Sequence, residues 1–431
     1  MIIPEYSKLL SLQIQYFYGF IRRQNWSSNK LKAYQNHKIK EIVNYAGNHV
    51  PYYRNLFSKI GLDIKEFRGL EDLNKIPYLD KETLRSNRED FLSDEFDKLD
   101  VLNVYTSGST GTPLMIAQDK YSRAAKHASS LRAMNWAGYK LGCKWFSLWG
   151  VYATTKPTAY GIDKQLNKLY YSNNLMTEEN NIEVGKLLNK FKPRFFSGYA
   201  LSFLELGKTL RKNGINIHSP KGIMVYGDWL PEELRKNIED LYNAPVYDFY
   251  SHSENTVMIN ERFRAQKMLV EDYFYPEFIS YDKEYNMGEL VGTSFYNYAM
   301  PLIRYKTRDI IEFDHNKESI YGFRKITTIL GRDDDYLLMQ DGRKVLSSQR
   351  AIYGINWIKA CQYIQDYYDH ITINIIPDEN FNPSDYGIIR ERMKEITKTD
   401  IKVDFKLVDS LPKNECGKSR FIIRDNKLNK S

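Results

Sequence analysis

The sequence predicts an α/β protein. A large layered N-terminal domain spans 1–332, its first hundred or so residues mostly helical, and a small α+β domain follows at 333–431. Three observations carry this. From about 120 to 330, short β-like runs (KWFSLWGV, PRFFSGY, GIMVYGD, PVYDFYS) alternate with helical stretches, as in a layered sheet. After LGRDDDYLLMQDGRKV the character changes. ITINIIP, a helix from about Pro383 to Thr397 and IKVDFKLVDSLP then form a compact α+β pattern. The length, 431 residues, suits two or three domains at roughly 150 residues each.

The elements follow in order. HKIKEIVNYAGNHV has apolar positions at helical spacing, and Pro51 stops it. The next stretch alternates short amphipathic helices with Gly and Pro stops, and Asp80 is placed to cap KETLR. VLNVY runs as a strand into a Ser/Thr/Gly loop and out through MIAQ. GELVGTSFYNYAMPLIRYKTRDIIEF reads as a β-rich module with a proline break. The polar cluster Arg332-Asp333-Asp334-Asp335 marks the domain boundary.

Composition excludes several classes. Sixty-two Lys and Arg against 54 Asp and Glu give a formal charge of +8. The charges are interspersed, as on a solvated surface, which argues against a nucleic-acid binder. A basic balance also suits an enzyme that handles a polyanion such as ATP. Three cysteines exclude a disulfide scaffold and a Cys-rich zinc site. No apolar run reaches the roughly 18 residues of a membrane span. The N-terminus lacks a basic region and a cleavage site, so a mature cytoplasmic chain is expected.

The sharpest chemical signal is Thr106-Ser107-Gly108-Ser109-Thr110-Gly111, between Tyr105 and Thr112-Pro113. Two glycines allow tight turns, and the hydroxyls and backbone N–H groups can surround phosphate oxygens. It is not a Walker loop, because no Gly-Lys-Ser/Thr follows at the right spacing. Further along come Tyr250-Ser251-His252-Ser253-Glu254, Thr307-Arg308-Asp309, Gly331-Arg332 and Asn414-Glu415-Cys416-Gly417-Lys418. Each is weak alone, and their joint order is informative.

At these residues the chain resembles the adenylate-forming (acyl-CoA synthetase-like) superfamily. Within it the chain looks like the phenylacetate–CoA ligase family, above all its capsular polysaccharide biosynthesis branch. The resemblance extends through PYYRNLF, IPYLDKETLR, PRFFSGYALSFLEL, VYGDWLPEELRKNIED and GELVGTSFYNYAMPLIRYKTRD. It implies that the 106–111 loop holds the β- and γ-phosphates of ATP, while Gly227 and Tyr250 flank the adenine and Asp248 meets its edge. It assigns Glu254 to Mg²⁺, Asp309 to the ribose hydroxyls and Arg332 to the interdomain junction. Asp334 takes the hinge position of a mobile C-terminal lid. Lys418, on that lid, bridges the substrate carboxylate and the α-phosphate. The implied reaction is adenylation of a carboxylic acid with release of pyrophosphate, then transfer to CoA, an amine or a hydroxyl. Trp149, Tyr199 and His252 are candidates for the acid pocket. Ser251 and Arg308 stand where the family has glycine. Two other readings stay open: a metal-dependent sugar transferase using Asp333-Asp334-Asp335 as an Asp-x-Asp motif, and a non-catalytic nucleotide-binding protein of the same fold.

Overall fold

The computed structural model describes residues 4–105, 114–149, 159–164, 166–226, 230, 232–282, 286–318, 322–332, 336–345, 348–352, 355, 357–377, 381–412, 421–425 and 428. Helices α1 (Pro4–Arg23), α2 (Ser28–His49), α3 (Pro51–Ile60) and α4 (Lys81–Ser86) open the chain, as expected. On α2, Leu31, Gln35, Ile39, Ile42, Val43 and Ala46 are buried, three or four residues apart, so one face of the helix seats on the core. Val50 is extended before Pro51, which starts α3, and Gly61 ends it in the left-handed region at φ 68°. Asp80 caps α4 by accepting from Thr83 N at 2.7 Å.

Hairpin β1 (Leu102–Tyr105) and β2 (Met115–Gln118) frames residues 106–113 and leads into α5 (Lys120–Trp136). Next come β3 (Trp145–Trp149), β4 (Tyr160–Asp163), β5 (Lys168–Ser172), α6 (Glu178–Phe191), β6 (Phe195–Gly198), α7 (Ala200–Lys212), β7 (Gly222–Tyr226), α8 (Glu232–Tyr242) and β8 (Val246–Ser251). An antiparallel series follows: β9 (Met258–Phe263), β10 (Gln266–Leu269), β11 (Phe274–Asp282), β12 (Met287–Ser294), β13 (Tyr305–Glu318) and β14 (Arg324–Arg332). Among the described residues these strands make one twelve-stranded sheet, ordered β11-β12-β13-β14-β10-β9-β8-β7-β6-β3-β5-β4. Strands β5, β3, β6, β7 and β8 run parallel. Their carboxyl ends therefore share one edge of the sheet, where ligands gather in open α/β folds.

Two cores sit on the two faces of the parallel part. Phe146, Leu148, Phe196, Ile223, Val225 and Val246 pack under α6, α7 and α8 with Val184, Leu206 and Ile238. Alternate residues point the other way, because strand side chains alternate. Phe195, Met224, Phe249 and Met258 join Ala125 and Ala128 of α5 in the larger core. Two buried ion pairs run through these layers. Arg132 and Asp272, both with side chains 0% exposed, meet at 2.7 Å. Arg235 and Glu261 meet at 2.6 Å. Interspersed charge thus does not always mean surface.

The C-terminal part has its own core. Strands β15 (Leu337–Leu338), β16 (Lys344–Val345), β17 (Ile358–Tyr367) and β18 (His370–Pro377), helix α9 (Asp385–Thr397), and strands β19 (Lys402–Leu407) and β20 (Ile422–Arg424) complete the chain. The sheet β19-β18-β17-β20 backs onto α9. The core of this small α+β domain is drawn from Leu337 to Ile422.

Candidate functional site

Strand β8 sorts its side chains between the two faces. Val246 packs in the core under α8, whereas Tyr247 and Phe249 pack in the larger core with α5, and Tyr250 near the strand end packs against that larger core too. On the α8 side, Arg235 donates to Glu261 through both guanidinium branches, at 2.8 and 2.6 Å. Glu261 in turn accepts from Asp248 N at 3.0 Å, and Arg235 also donates to the Val246 carbonyl. This buried fork fixes the strand that carries the two residues. The Asp248 carboxylate pairs with Lys267 of β10. The Tyr250 hydroxyl donates to Asp309 of β13.

Asp309 owes its place to a tight local geometry. Arg308, just before it, takes the left-handed conformation at φ 65°. A glycine adopts this readily, whereas a side chain strains it. The turn is held by Arg308 N donating to buried Glu289 at 2.9 Å and Asp309 N donating to Thr307 Oγ1 at 3.1 Å. The β13–β14 register sets Arg332 directly opposite Asp309. Tyr250, Asp309 and the Arg332 backbone therefore converge, although they are far apart in sequence.

Beyond β8 the chain turns across the strand ends. His252 Nδ1 lies 2.9 Å from Glu254 Oε2, with both side chains mostly buried. Thr256 Oγ1 is 3.3 Å from His252 Nε2, so both imidazole nitrogens have neighbours within the turn. Tyr305 donates to Glu254 Oε1 at 3.4 Å. Burial by itself would raise the Glu254 pKa. The adjacent His252 imidazole, and more distantly Lys81, instead hold the carboxyl down at about 2. Gly292 of β12 lets Thr256 approach; a Cβ there would sit 2.1 Å from the Thr256 carbonyl oxygen.

Two lysines here were not evident as site residues in the sequence. Lys81 is 7% exposed. It comes within electrostatic range of Glu254 because Leu79 is pinned to β13, its N donating to Arg304 O at 2.9 Å and its carbonyl accepting from Lys306 N at 2.8 Å. Lys126 of α5 donates to the His252 carbonyl at 3.0 Å. Burial pushes its ammonium down to about 8, against the attraction of Glu254. No sequence motif marks either lysine; a cation placed near a later acidic motif is a feature of the fold.

Of the other expected residues, Tyr199 caps the start of α7 and packs edge-on to Tyr226, centroids 6.0 Å apart. Trp149 ends β3, level with Ser172 of β5. Its side chain and that of Arg332 are outside the described set, as are Thr106, Ser107, Gly108, Ser109, Thr110, Gly111, Gly227, Asp333, Asp334, Asp335 and Lys418. Among the described residues no cluster of three or more His, Cys, Asp or Glu is arranged to hold a metal. No helix among them is long and apolar enough to cross a membrane.

The family model described as the CapK C-terminal domain matches residues 337–425. The chain is 26% identical to protein CapK of Staphylococcus aureus over 426 residues, covering 95% of this chain and 93% of that protein. It is 27% identical to phenylacetate-coenzyme A ligase of Pseudomonas putida over 332 residues, 73% of each. The fold matches a crystal structure of 2-hydroxyisobutyryl-CoA ligase in the postadenylation state, in complex with 2-HIB-AMP. The TM-score is 0.71 at 18% identity, covering 94% of this chain and 92% of that one. Over nearly its whole length the chain is thus similar in sequence to CapK, over about three quarters of it to a phenylacetate-coenzyme A ligase, and it shares the fold of an acyl-CoA ligase, with residues 337–425 matching the CapK C-terminal domain.

Proposed function

We propose that this chain activates a carboxylic acid with ATP. A carboxylate oxygen attacks the α-phosphorus, the bond to the pyrophosphate leaving group breaks, and an acyl-adenylate forms. The acyl group then passes to a thiol, amine or hydroxyl, releasing AMP. The observation that carries the reading is the convergence of Tyr250, Asp309 and the backbone of Arg332, together with the buried Glu254 beyond the end of β8.

Each residue has a physical task. Asp309 accepts from ribose hydroxyls, and its partner Tyr250 offers a π face to the adenine. Asp248, aligned by Lys267, accepts from the base edge. Glu254 is held ionised and supplies a single hard oxygen donor. That fits Mg²⁺, which is usually held by one or two carboxylates together with substrate phosphates and water. Bound there, Mg²⁺ would offset charge on the departing pyrophosphate. The 106–111 loop cradles the phosphates, and Lys418 neutralises charge developing around the α-phosphorus. With 1–332 as the large domain, 333–431 as the lid and Asp334 as the hinge, closure delivers Lys418 and reopening admits the acceptor.

The coenzyme A ligases among the relatives favour CoA as acceptor, and the CapK likeness favours a role in surface polysaccharide synthesis. The test is ATP–pyrophosphate exchange with Mg²⁺ across a carboxylic-acid panel that includes uronic and amino acids. CoA or hydroxylamine then traps the adenylate. Acid-dependent exchange is expected. ATP binding without exchange for any acid would overturn the reading.

A further inference from the structure

Strands β12 and β13 fall out of step at Asp309. Glu289 lies opposite Ile310, and Val291 opposite Lys306. Between these two pairs β12 has only Leu290, whereas β13 has Thr307, Arg308 and Asp309. The surplus makes a bulge, and a bulge beside a site re-aims a side chain. The side chain re-aimed here is Asp309, whose carboxylate accepts from Tyr250 of β8.

The ladder is interrupted at the bulge, so side chains hold it. Thr307 Oγ1 donates to the Leu290 carbonyl at 2.6 Å and accepts from Asp309 N at 3.1 Å. Arg308 N donates to Glu289 Oε1 at 2.9 Å. Arg308 itself stands at φ 65°, a conformation that an L side chain resists. Glu289 is 0% exposed, as are its chain neighbours Leu290 and Val291. A carboxylate in such a place is costly unless hydrogen bonds and charge offset its desolvation. Its second oxygen accepts from the Tyr281 hydroxyl of β11 at 3.1 Å and lies 3.5 Å from Lys306 Nζ of β13. Glu289 is therefore anchored from both neighbouring strands, with Oε1 directed at the strained residue of the bulge.

We propose that Glu289 is a positioning residue for nucleotide binding. By holding Arg308 in the left-handed region, it sets the Asp309 carboxylate where ribose hydroxyls meet it. This rests on the reading of Asp309 as the ribose contact. Without the Glu289 acceptor, Arg308 is free to relax to an ordinary φ, and the residue after it turns away from Tyr250.

The test is ATP–pyrophosphate exchange with ATP, 2′-deoxy-ATP and 3′-deoxy-ATP, using the acid of the panel that supports exchange best. Wild type is expected to favour ATP over at least one deoxy analogue by about 10-fold or more in kcat/KM, as for the loss of a hydrogen bond to a charged group. Glu289→Leu should raise the ATP KM by about 10-fold and remove most of that preference, with the acid KM unchanged. Glu289→Gln keeps an oxygen acceptor for Arg308 N and should retain most of the preference. Arg308→Gly added to Glu289→Leu should recover part of it, because glycine takes the left-handed turn unaided. If Glu289→Leu does not fold, Glu289→Asp, which draws the oxygen back by one methylene, should show the same losses. A folded Leu variant, or in its absence a folded Asp variant, with wild-type ATP KM and wild-type preference overturns the proposal whatever its melting temperature. A wild type blind to both hydroxyls overturns it too and leaves adenylation standing. If no acid supports exchange, the adenylation reading falls. Equilibrium binding of the same three nucleotides to the same variants then decides the role of Glu289 by the same criteria.

Discussion

Removing Arg235 should damage both the stability of the large domain and its hold on nucleotide. The Arg235 side chain is 3% exposed and that of Glu261 0%, and the two are joined by paired hydrogen bonds of 2.6 and 2.8 Å. Arg235→Met leaves the Glu261 carboxylate buried without its cation, a change that typically costs about 3–5 kcal/mol. Burial already raises the Glu261 pKa against the pull of Arg235, and losing Arg235 should raise it further. A raised carboxyl pKa favours folding at low pH, an advantage lost as pH rises through the folded-state value. The deficit of Arg235→Met should therefore be larger at about pH 8 than at about pH 5.5. Adding Glu261→Gln keeps an acceptor for Asp248 N and removes the stranded charge, so the double variant should recover roughly 1–3 kcal/mol. The assay is denaturant unfolding of all three variants and wild type at both pH values, with the ATP KM for variants that fold. A cost under about 1 kcal/mol, or strict additivity in the double variant, would refute the argument.

Other expectations follow from single contacts. Lys418→Ala should cut acid-dependent pyrophosphate release by about 10²-fold or more, read in the exchange assay; an unchanged rate removes it from the mechanism. Glu254→Gln should lower exchange to a similar degree, about 10²-fold, and weaken its dependence on Mg²⁺ concentration. Between pH 8 and 10.5 the unfolded chain holds more protons on Lys126 than the folded one. Wild type should thus gain stability with rising pH relative to Lys126→Met across that window, as paired unfolding curves would show. Gly292→Ala should cost about 1–3 kcal/mol of stability, because its Cβ meets backbone rather than a movable side chain.

Much of the large domain was legible because parallel strands buried on both faces write short apolar runs, and KWFSLWGV, PRFFSGY, GIMVYGD and PVYDFYS all became strands. Strand β4 was harder to see, since YGID pairs only at the sheet edge and is partly exposed. MINERF of β9 hides behind its polar residues, and buried Glu261 reads as surface until Arg235 appears across the layer. At the site, Tyr250, Glu254 and Asp309 announce themselves through ordered motifs. Lys81 and Lys126 do not, because each gains its meaning from a backbone neighbour more than a hundred positions away: Lys81 through β13, Lys126 through the His252 carbonyl. Arg308 was legible as a departure from glycine, and its positive φ gives that departure a physical content.

The alternation along β8 has a practical corollary. Val246 is bedded in one core and Phe249 in the other, so the strand is clamped from both layers between the positions that the proposed function gives to the nucleotide, Asp248 and Tyr250. A designer, or a lineage, that repacked either layer at Val246 or Phe249 would shift those two side chains without replacing them.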